Sequence, residues 1–327
     1  FDVFFGPAMG GTATFIRLFP LHYPTLVVTD VASGHSGELG ALGISLIWAV
    51  LTVTVAATTL TRTIRPRHAS RKARPRRRRV ATALVAAMRQ LRRMPAMWIL
   101  IVGLPVAFIT TSVAITPDDP TPVELVENGQ RSLRILSMAD VHGAVMVPIT
   151  IGFLASLAGL FVTLDAADGD RRLSLTDYRS GEILAVRLIV IAVASLLATG
   201  VAVGVTAISF DAVSWPVFVA ANVVVALTYA MVGVIVGPLF GRLGGLYLLL
   251  LLPFIDVGLA QNAMFDAAPP SWGRYLPAHG AVRVMMDGAF TNTFDEAGAL
   301  LLAAVWMVAL GAVAVGVFRR VTTTSNG

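Results

Sequence analysis

The chain of 327 residues contains no cysteine and little charge for its length. Without cysteine it has no disulfide, no thiolate metal ligand and no cysteine nucleophile. Charged residues make up 13% of the chain, about half the share that is typical of soluble domains, while 56% of the residues are hydrophobic. A water-soluble chain with this composition lacks the polar residues to cover its surface. The apolar residues are therefore expected to face lipid.

Two kinds of reactive site are also missing from the sequence. The five histidines are scattered, and no two lie three or four residues apart as paired metal ligands on one helix would. There is no Walker A loop for binding phosphate, and the apolar segments show no paired carboxylates and no nucleophile–base set. The sequence therefore predicts neither a metal site nor an enzyme.

Long uncharged runs dominate the chain. A helix needs roughly 20 apolar residues to cross about 30 Å of hydrocarbon, and it satisfies its own backbone hydrogen bonds there. The predicted spans are 39–61, 94–116, 143–164, 188–210, a stretch within 212–241, 243–261 and 297–318. Six of these runs have 22 or more uncharged residues, too many for the alternative, a large soluble helical bundle. The predicted fold class is an all-α polytopic membrane protein with about seven transmembrane helices.

The distribution of charge predicts the orientation. Segment 62–93 carries 13 basic residues and no acid, whereas segment 117–142 carries two arginines and five acids. Segment 165–187 carries four arginines. Because basic residues near spans remain inside, we expect 62–93, 165–187, Arg242 and the carboxyl end to be cytoplasmic. The chain is then a multi-pass protein of the cytoplasmic membrane, with its amino end on the outer side. A start at Phe1 without a signal peptide predicts the carboxyl part of a longer protein.

An arginine-rich loop, residues 62–79, follows the first predicted span. Arginine clusters bind nucleic acid phosphates or anionic lipids, and such runs are also common in disordered linkers that set topology. No aromatic residue is interleaved for stacking on bases. We therefore expect a linker in contact with membrane lipids, and no nucleic acid partner.

Residues 80–94 show the pattern of an amphipathic helix on the inner membrane surface. Five apolar residues recur at helical spacing: Val80, Leu84, Ala87, Leu91 and Met94. Arg89, Arg92 and Arg93 share another face. The helix is expected to lead into the span that begins at Met94.

The two ends of the chain resemble one another. Residues 17–30, RLFPLHYPTLVVTD, align with residues 274–287, RYLPAHGAVRVMMD, at a constant offset of 257. The identities include an Arg, a Pro, a His and an Asp, and an apolar span follows each copy. The repeat predicts a duplicated module. Residues 1–62 would be the remnant of a first module, 63–95 the basic linker and interfacial helix, 96–320 a module of six spans, and 321–327 a polar tail.

This order of parts resembles the permease subunits of ABC-2 type transporters. Those proteins have a cytoplasmic interfacial helix, six spans, a short cytoplasmic helix between the second and third spans, and short helices between the fifth and sixth. The resemblance implies a tandem form whose first module is truncated. It further implies an ATPase subunit as partner, with ATP and Mg bound on that partner and no cofactor in this chain.

The cytoplasmic segment 171–187, RRLSLTDYRSGEILAVR, is the counterpart of the loop that docks on the ATPase. From the residues alone, a coupling loop and a solvated loop with topology-setting arginines remain equal alternatives, and the family resemblance favours coupling. The residues expected to contribute are Arg171, Arg172, Tyr178, Arg179, Gly181, Glu182 and Arg187.

The outer segment after the predicted fifth span is the counterpart of the family's short outer helices. We expect its residues to form an outer gate or re-entrant segment, with Asp256, Trp272, Arg274, Tyr275, Pro277 and His279 as candidates. An acid in a membrane segment is a functional candidate by default. Asp256 therefore supports an alternative, an ion- or proton-coupled secondary transporter, although we expect it near the outer interface, where it caps or accepts hydrogen bonds.

The expected function is that of an export permease. Mostly apolar span walls permit lipids, hydrophobic drugs or peptides as substrates, so the substrate is described only as hydrophobic or amphipathic. A membrane scaffold without transport is a third possibility.

Overall fold

The computed structural model describes residues 76–127, 129–165 and 180–323. Its elements in chain order are α1 (Arg76–Arg92), α2 (Pro95–Ile115), β1 (Pro120–Glu127), β2 (Gln130–Ser137), α3 (Met138–Asp165), α4 (Ser180–Thr206), α5 (Trp215–Pro253), α6 (His279–Phe290) and α7 (Ala297–Thr323). A π-helix, Phe254–Ala260, continues α5, and a 3₁₀ turn, Gly273–Tyr275, precedes α6. The first predicted span, 39–61, and residues 62–75 of the basic loop lie outside the described residues, whereas residues 76–79 of that loop begin α1.

Within the described ranges, five helices are long and apolar enough to cross a membrane: α2, α3, α4, α5 with its π-helical extension, and α7. The chain is thus a mostly helical protein embedded in a membrane. Helix α3 is central, with 89% of its apolar window buried, against 17% for α2 and 11% for α7. Because the outer faces of α2 and α7 are aliphatic, they are suited to lipid contact.

Helix α5 folds back on itself at Gly241, whose φ of 68° and ψ of −168° interrupt the helical backbone. A Cβ built at Gly152 of α3 would lie 3.1 Å from Tyr229 and 3.3 Å from Pro253, and Leu160 likewise lies beside both Gly237 and Gly245. Residues 229 and 253 are equally distant from Gly241 along the chain, and so are residues 237 and 245. The arms 215–240 and 242–253 therefore run antiparallel to each other, and both pack against α3. Glycine is the residue that adopts positive φ without strain. The spans predicted within 212–241 and at 243–261 correspond to these two arms.

The first arm crosses α3 at very short range. A Cβ at Gly159 would overlap the carbonyl oxygen of Ala230, and one at Gly233 would overlap the carbonyl oxygen of Ser156. Small residues on both sides let the two backbones touch, as is common where membrane helices pack. This crossing gives the bundle its closest helix pair.

The predicted amphipathic helix is present as α1. Ala87 and Leu91 are buried, and Leu84 and Met94 are half-buried, whereas Arg89, Arg92 and Arg93 are exposed. The apolar face packs partly on α4 and on the turn into α2, where the indole Nε1 of Trp98 donates to the carbonyl oxygen of Leu91 at 3.2 Å.

A β-hairpin that the sequence analysis treated as loop lies between α2 and α3. Strands β1 and β2 pair antiparallel, and Gly129 in the turn has φ 73°. Thr121, Val123 and Leu125 are buried at a period of two, as in a half-buried strand. The Asn-Gly dipeptide at 128–129 is the sequence feature that predicts such a turn. The described fold is therefore helical with one added hairpin.

Candidate functional site

Two groups of charged and polar side chains lie at opposite ends of the bundle. At one end Arg242, directly after the α5 turn, lies 3.7 Å from Asp165 at the end of α3 and stacks over the ring of Phe161 at 5.1 Å. The side chain of Gln90 in α1 donates to the carbonyl oxygen of Asp165 at 3.3 Å. These segments were all predicted to lie on the cytoplasmic side, and the structure places them at one end.

Asp256 lies toward the opposite end. It is 15 residues beyond the turn at Gly241, which is about 22 Å of helix, and it is 3% exposed. Its Oδ2 accepts hydrogen bonds from the hydroxyl of Tyr229 at 2.7 Å and from the backbone amide of Ala278 at 2.9 Å. We call this three-residue arrangement the Asp256 junction. Among the described residues, Oδ1 of Asp256 accepts no hydrogen bond.

Local backbone geometry explains how the Asp256 junction forms. Asp256 belongs to the π-helix that follows Pro253, and such wider turns occur mostly as short segments, often at functional sites. Ala278 is the N-cap of α6. Its amide and the first amides of α6 have no partner within the helix, and the helix dipole is positive there. A carboxylate oxygen is therefore well placed beside this helix end.

Gln261 makes a second connection between the π-helix and the outer residues. Its Nε2 donates to the carbonyl oxygen of Gly273 at 2.8 Å, and its Oε1 lies 2.8 Å from Nδ1 of His279. Since an amide oxygen only accepts, His279 carries its proton on Nδ1. Residues 261–278, which we call the outer segment after the side on which the sequence analysis predicts it, are thus held by Gln261 at one end and by Ala278 at the other.

The environment of His279 disfavours its charged form. Burial, followed by the nearby cations Arg283, Arg274 and Arg131, lowers its pKa from 6.5 to about 4. Both desolvation and like charge act in this direction for an imidazole.

This shift makes stability depend on pH. Between about pH 6.5 and 4 the unfolded chain binds a proton that the folded protein does not, so the free energy of unfolding falls as the pH is lowered through that window. We expect His279→Gln, which retains a donor for Gln261, to lose less stability between pH 7 and 4.5 than the parent. Thermal unfolding of both proteins in detergent measures the difference. Identical losses would show that His279 is not a source of the acid sensitivity.

An ion network joins the hairpin to α6 and α7. The guanidinium of Arg283 in α6 lies 2.8 Å from Oε1 of Glu296 and 3.3 Å from Oε1 of Glu124 in β1. It also donates to the backbone carbonyl of Glu124 at 3.2 Å. The three side chains are only 12–20% exposed. We call these three residues the outer ion network.

The carboxyl end of α6 is held by a separate set of bonds. Burial raises the pKa of Asp287, whose carboxylate accepts from the hydroxyl of Thr291 at 2.5 Å and from the amide of Asp295 at 3.3 Å. The amides of Val213 and Ser214 donate to carbonyl oxygens in the last turn of α6 at 3.1 and 2.8 Å.

The predicted outer residues divide into two groups. The structure brings Asp256 and His279 together through Ala278 and Gln261, and Pro277 directly precedes the bonded amide. Trp272, Arg274 and Tyr275 are exposed on the outer segment, and of these only Arg274 acts on His279, through its charge. The sequence analysis did not single out Gln261 or Arg283 for this site. The spacing of Arg283, four residues after His279, places both on one face of α6 and is the feature that could have indicated it.

The predicted coupling residues are only partly described. Arg171, Arg172, Tyr178 and Arg179 lie outside the described residues. Gly181, Glu182 and Arg187 belong to α4, which begins at Ser180 rather than at 188 as predicted. Arg187 is 7% exposed and therefore lies within the bundle rather than on a loop surface.

A comparison with protein-family models and with curated proteins found no match for this chain.

Proposed function

We propose that this protein is the membrane-spanning permease subunit of an ATP-driven exporter of the ABC-2 type. It would move a hydrophobic or amphipathic substrate across the cytoplasmic membrane, while a separate subunit hydrolyses ATP. The observation that carries the proposal is the order of parts: the amphipathic α1 precedes the apolar helices, and the short α6 lies in the connection before the last one.

The ends of the bundle support this assignment. Arg242, Asp165 and the last turn of α1 meet at one end. Asp165 and α1 adjoin, along the sequence, arginine-rich segments that favour the cytoplasm. An ATPase partner would dock at this end. The hairpin, α6 and the Asp256 junction lie at the other end, where an exporter has to open to release its substrate.

The proposal predicts that charge reversal in segment 171–187 uncouples transport from ATP hydrolysis. We expect Arg179→Glu or Glu182→Arg to reduce ATP-dependent export at least tenfold and to weaken co-purification of the ATPase. Arg179 lies outside the described residues and Glu182 lies in the first turn of α4, ahead of the apolar span, so neither substitution replaces an apolar residue. The measurements are pull-down of the partner and export from inverted vesicles.

Arg134→Ala is the matched control, because Arg134 lies in β2 at the opposite end and is half exposed. Its export is expected to equal that of the parent. If no ATPase co-purifies and both reversals leave transport intact, the permease proposal is wrong.

One observation favours a second candidate, a secondary transporter that uses Asp256. Asp256 is buried in a membrane-spanning segment with Oδ1 unpartnered among the described residues, and buried acids in such segments often bind protons or ions. This candidate predicts that Asp256→Asn abolishes transport, and that ATP depletion with the ion gradient maintained does not.

A further inference from the structure

We propose that Asp256 is a positioning residue that seats α6 over the outer end of α5, and that the bond between Asp256 and Ala278 breaks each time the protein opens outward. This inference rests on the proposed function, since it describes how an exporter of this structure would release its substrate. It assigns to Asp256 a role as hydrogen-bond acceptor rather than as proton carrier.

The first support is that one carboxylate oxygen joins three elements. Asp256 lies in the extension of the second arm of α5, Tyr229 lies in the first arm, and Ala278 caps α6. A change in the separation of the two arms therefore alters the bond between Tyr229 and Asp256, and with it the position of the oxygen that accepts from Ala278. The position of α6 is thus coupled directly to the separation of the two arms of α5.

The second support is the way in which the outer elements are held to one another. A Cβ at Gly280 would overlap the carbonyl oxygen of Ala299, so α6 and α7 cross at backbone contact. Arg283 ties α6 to both β1 and the start of α7. The hairpin, α6 and the first turn of α7 are therefore expected to move together as one unit, which we call the outer unit.

The third support is the difference between the two attachments of α6 to α5. At its carboxyl end, two backbone amides of residues 213 and 214 donate to α6, and a Cβ at Gly288 would lie 2.6 Å from the amide nitrogen of Phe218. At its amino end, the hydrogen bonds to the extension of α5 are made by the side chains of Asp256 and Gln261. Side-chain bonds are remade more easily than a close backbone contact. The outer unit would therefore turn about Gly288 when the Asp256 junction opens.

A single-cysteine reporter tests this mechanism, because the parent chain has no cysteine. Ala281→Cys places a thiol on α6 at a position that is 2% exposed. The measurement is the rate at which a membrane-impermeant maleimide, added outside, modifies this thiol. Asp256→Ala removes both hydrogen bonds of Oδ2, and we expect it to raise the rate on the order of tenfold, because the closed position of α6 is then less stable.

Conservative variants separate hydrogen bonding from charge. Asp256→Asn retains an oxygen that accepts from both Tyr229 and Ala278, so its rate should remain near that of the reporter parent and its export should persist. Tyr229→Phe removes one of the two bonds, and its rate should be intermediate. Asp118→Asn, at an exposed acid that accepts from the hydroxyl of Ser137 beside the β-hairpin, is the matched control and should leave the rate unchanged.

A cross-link supplies the converse test. A Cβ at Gly273 would lie 3.3 Å from Cβ of Ala260, close to the separation in disulfides. Oxidised Ala260→Cys/Gly273→Cys protein would hold the outer segment on the π-helix. We expect export to stop on oxidation and to return with reductant, whereas a protein with either cysteine alone should be insensitive.

The outcomes distinguish this inference from the proposed function. Labelling requires neither ATPase nor substrate, so faster labelling in Asp256→Ala without any ATP-driven export would support the junction and refute the permease. Unchanged labelling in both Asp256→Ala and Tyr229→Phe, or full export by the cross-linked protein, would overturn the junction alone. If Asp256→Asn labels as fast as Asp256→Ala, the charge of Asp256 rather than its hydrogen bonds positions α6, and its assigned role as hydrogen-bond acceptor is wrong. Should Asp256→Ala fail to yield folded protein, Tyr229→Phe and the cross-link decide the question.

Discussion

Replacing Gly233 by alanine is expected to destabilise the folded bundle by about 3 kcal/mol, because overpacking a rigid contact typically costs 1–3 kcal/mol or more. The added methyl group would overlap the carbonyl oxygen of Ser156, which is helix backbone and cannot rotate away. Helices α3 and α5 would have to separate, and their other contacts would weaken. The measurement is the midpoint of unfolding when the purified protein is titrated with a denaturing detergent.

Gly200→Ala in α4 is the matched control for this substitution. A Cβ at Gly200 meets no atom within 4 Å, and alanine favours a helix over glycine by about 1 kcal/mol. The control should therefore be neutral or slightly more stable than the parent. Equal midpoints for the two variants would show that the crossing at Gly233 is looser than the structure indicates.

Replacing Arg283 by alanine is expected to have an effect of similar size. The change leaves Glu124 and Glu296, which are 20% and 13% exposed, without their shared cation. Removal of one partner from a buried ion pair typically costs 3–5 kcal/mol, and we expect about 3 kcal/mol because these groups retain some solvent. The pKa of His279 should also rise, since Arg283 contributes to lowering it. Thermal unfolding and titration of the histidine by NMR are the two measurements.

Arg134→Ala again provides the comparison. Arg134 lies 2.5 Å from Glu127, but the two side chains are 48% and 30% exposed. Exposed pairs contribute about 0–1 kcal/mol, so this variant should unfold close to the parent. If the two arginine variants shifted stability equally, burial would not be what makes the outer ion network important.

Regular periodicity made several elements predictable from the sequence. Of the apolar positions predicted for the amphipathic helix, Ala87 and Leu91 are buried and Leu84 and Met94 are half-buried, and the three arginines are exposed as expected. The predicted spans from 94 onward all correspond to helical segments. Their apolar runs exceed the length that a buried strand or loop would have, so the composition of each run was sufficient to predict a helix.

Charged residues misled the prediction at the start of α4. The sequence analysis ended the loop at Arg187 because a charge beside an apolar run usually marks the membrane boundary. The helix in fact begins at Ser180, and Arg187 is buried within the bundle. A buried arginine needs partners from other elements, and these are invisible in the local sequence.

The Asp256 junction shows the same division. The sequence analysis assigned Asp256 and His279 to one predicted outer region and expected Asp256 to accept hydrogen bonds, and the structure shows two such bonds. The local sequence pattern did not predict the hydrogen bond that the backbone amide of Ala278 donates to Asp256, or the bonds by which Gln261 bridges Gly273 and His279. Both depend on the fold-back of α5, which brings residues 229 and 256 together.

The sequence by itself determined the membrane environment, the amphipathic α1 and most helical segments, because these depend on composition and on periodicity within one segment. Only the tertiary structure decided that α5 reverses at Gly241, that Arg283 joins three elements, and that one oxygen of Asp256 holds two arms and an outer helix together. Such contacts link residues that are distant along the chain. Their geometry is set by helix crossings at Gly159, Gly233 and Gly280, where the absence of a side chain determines how closely two backbones approach.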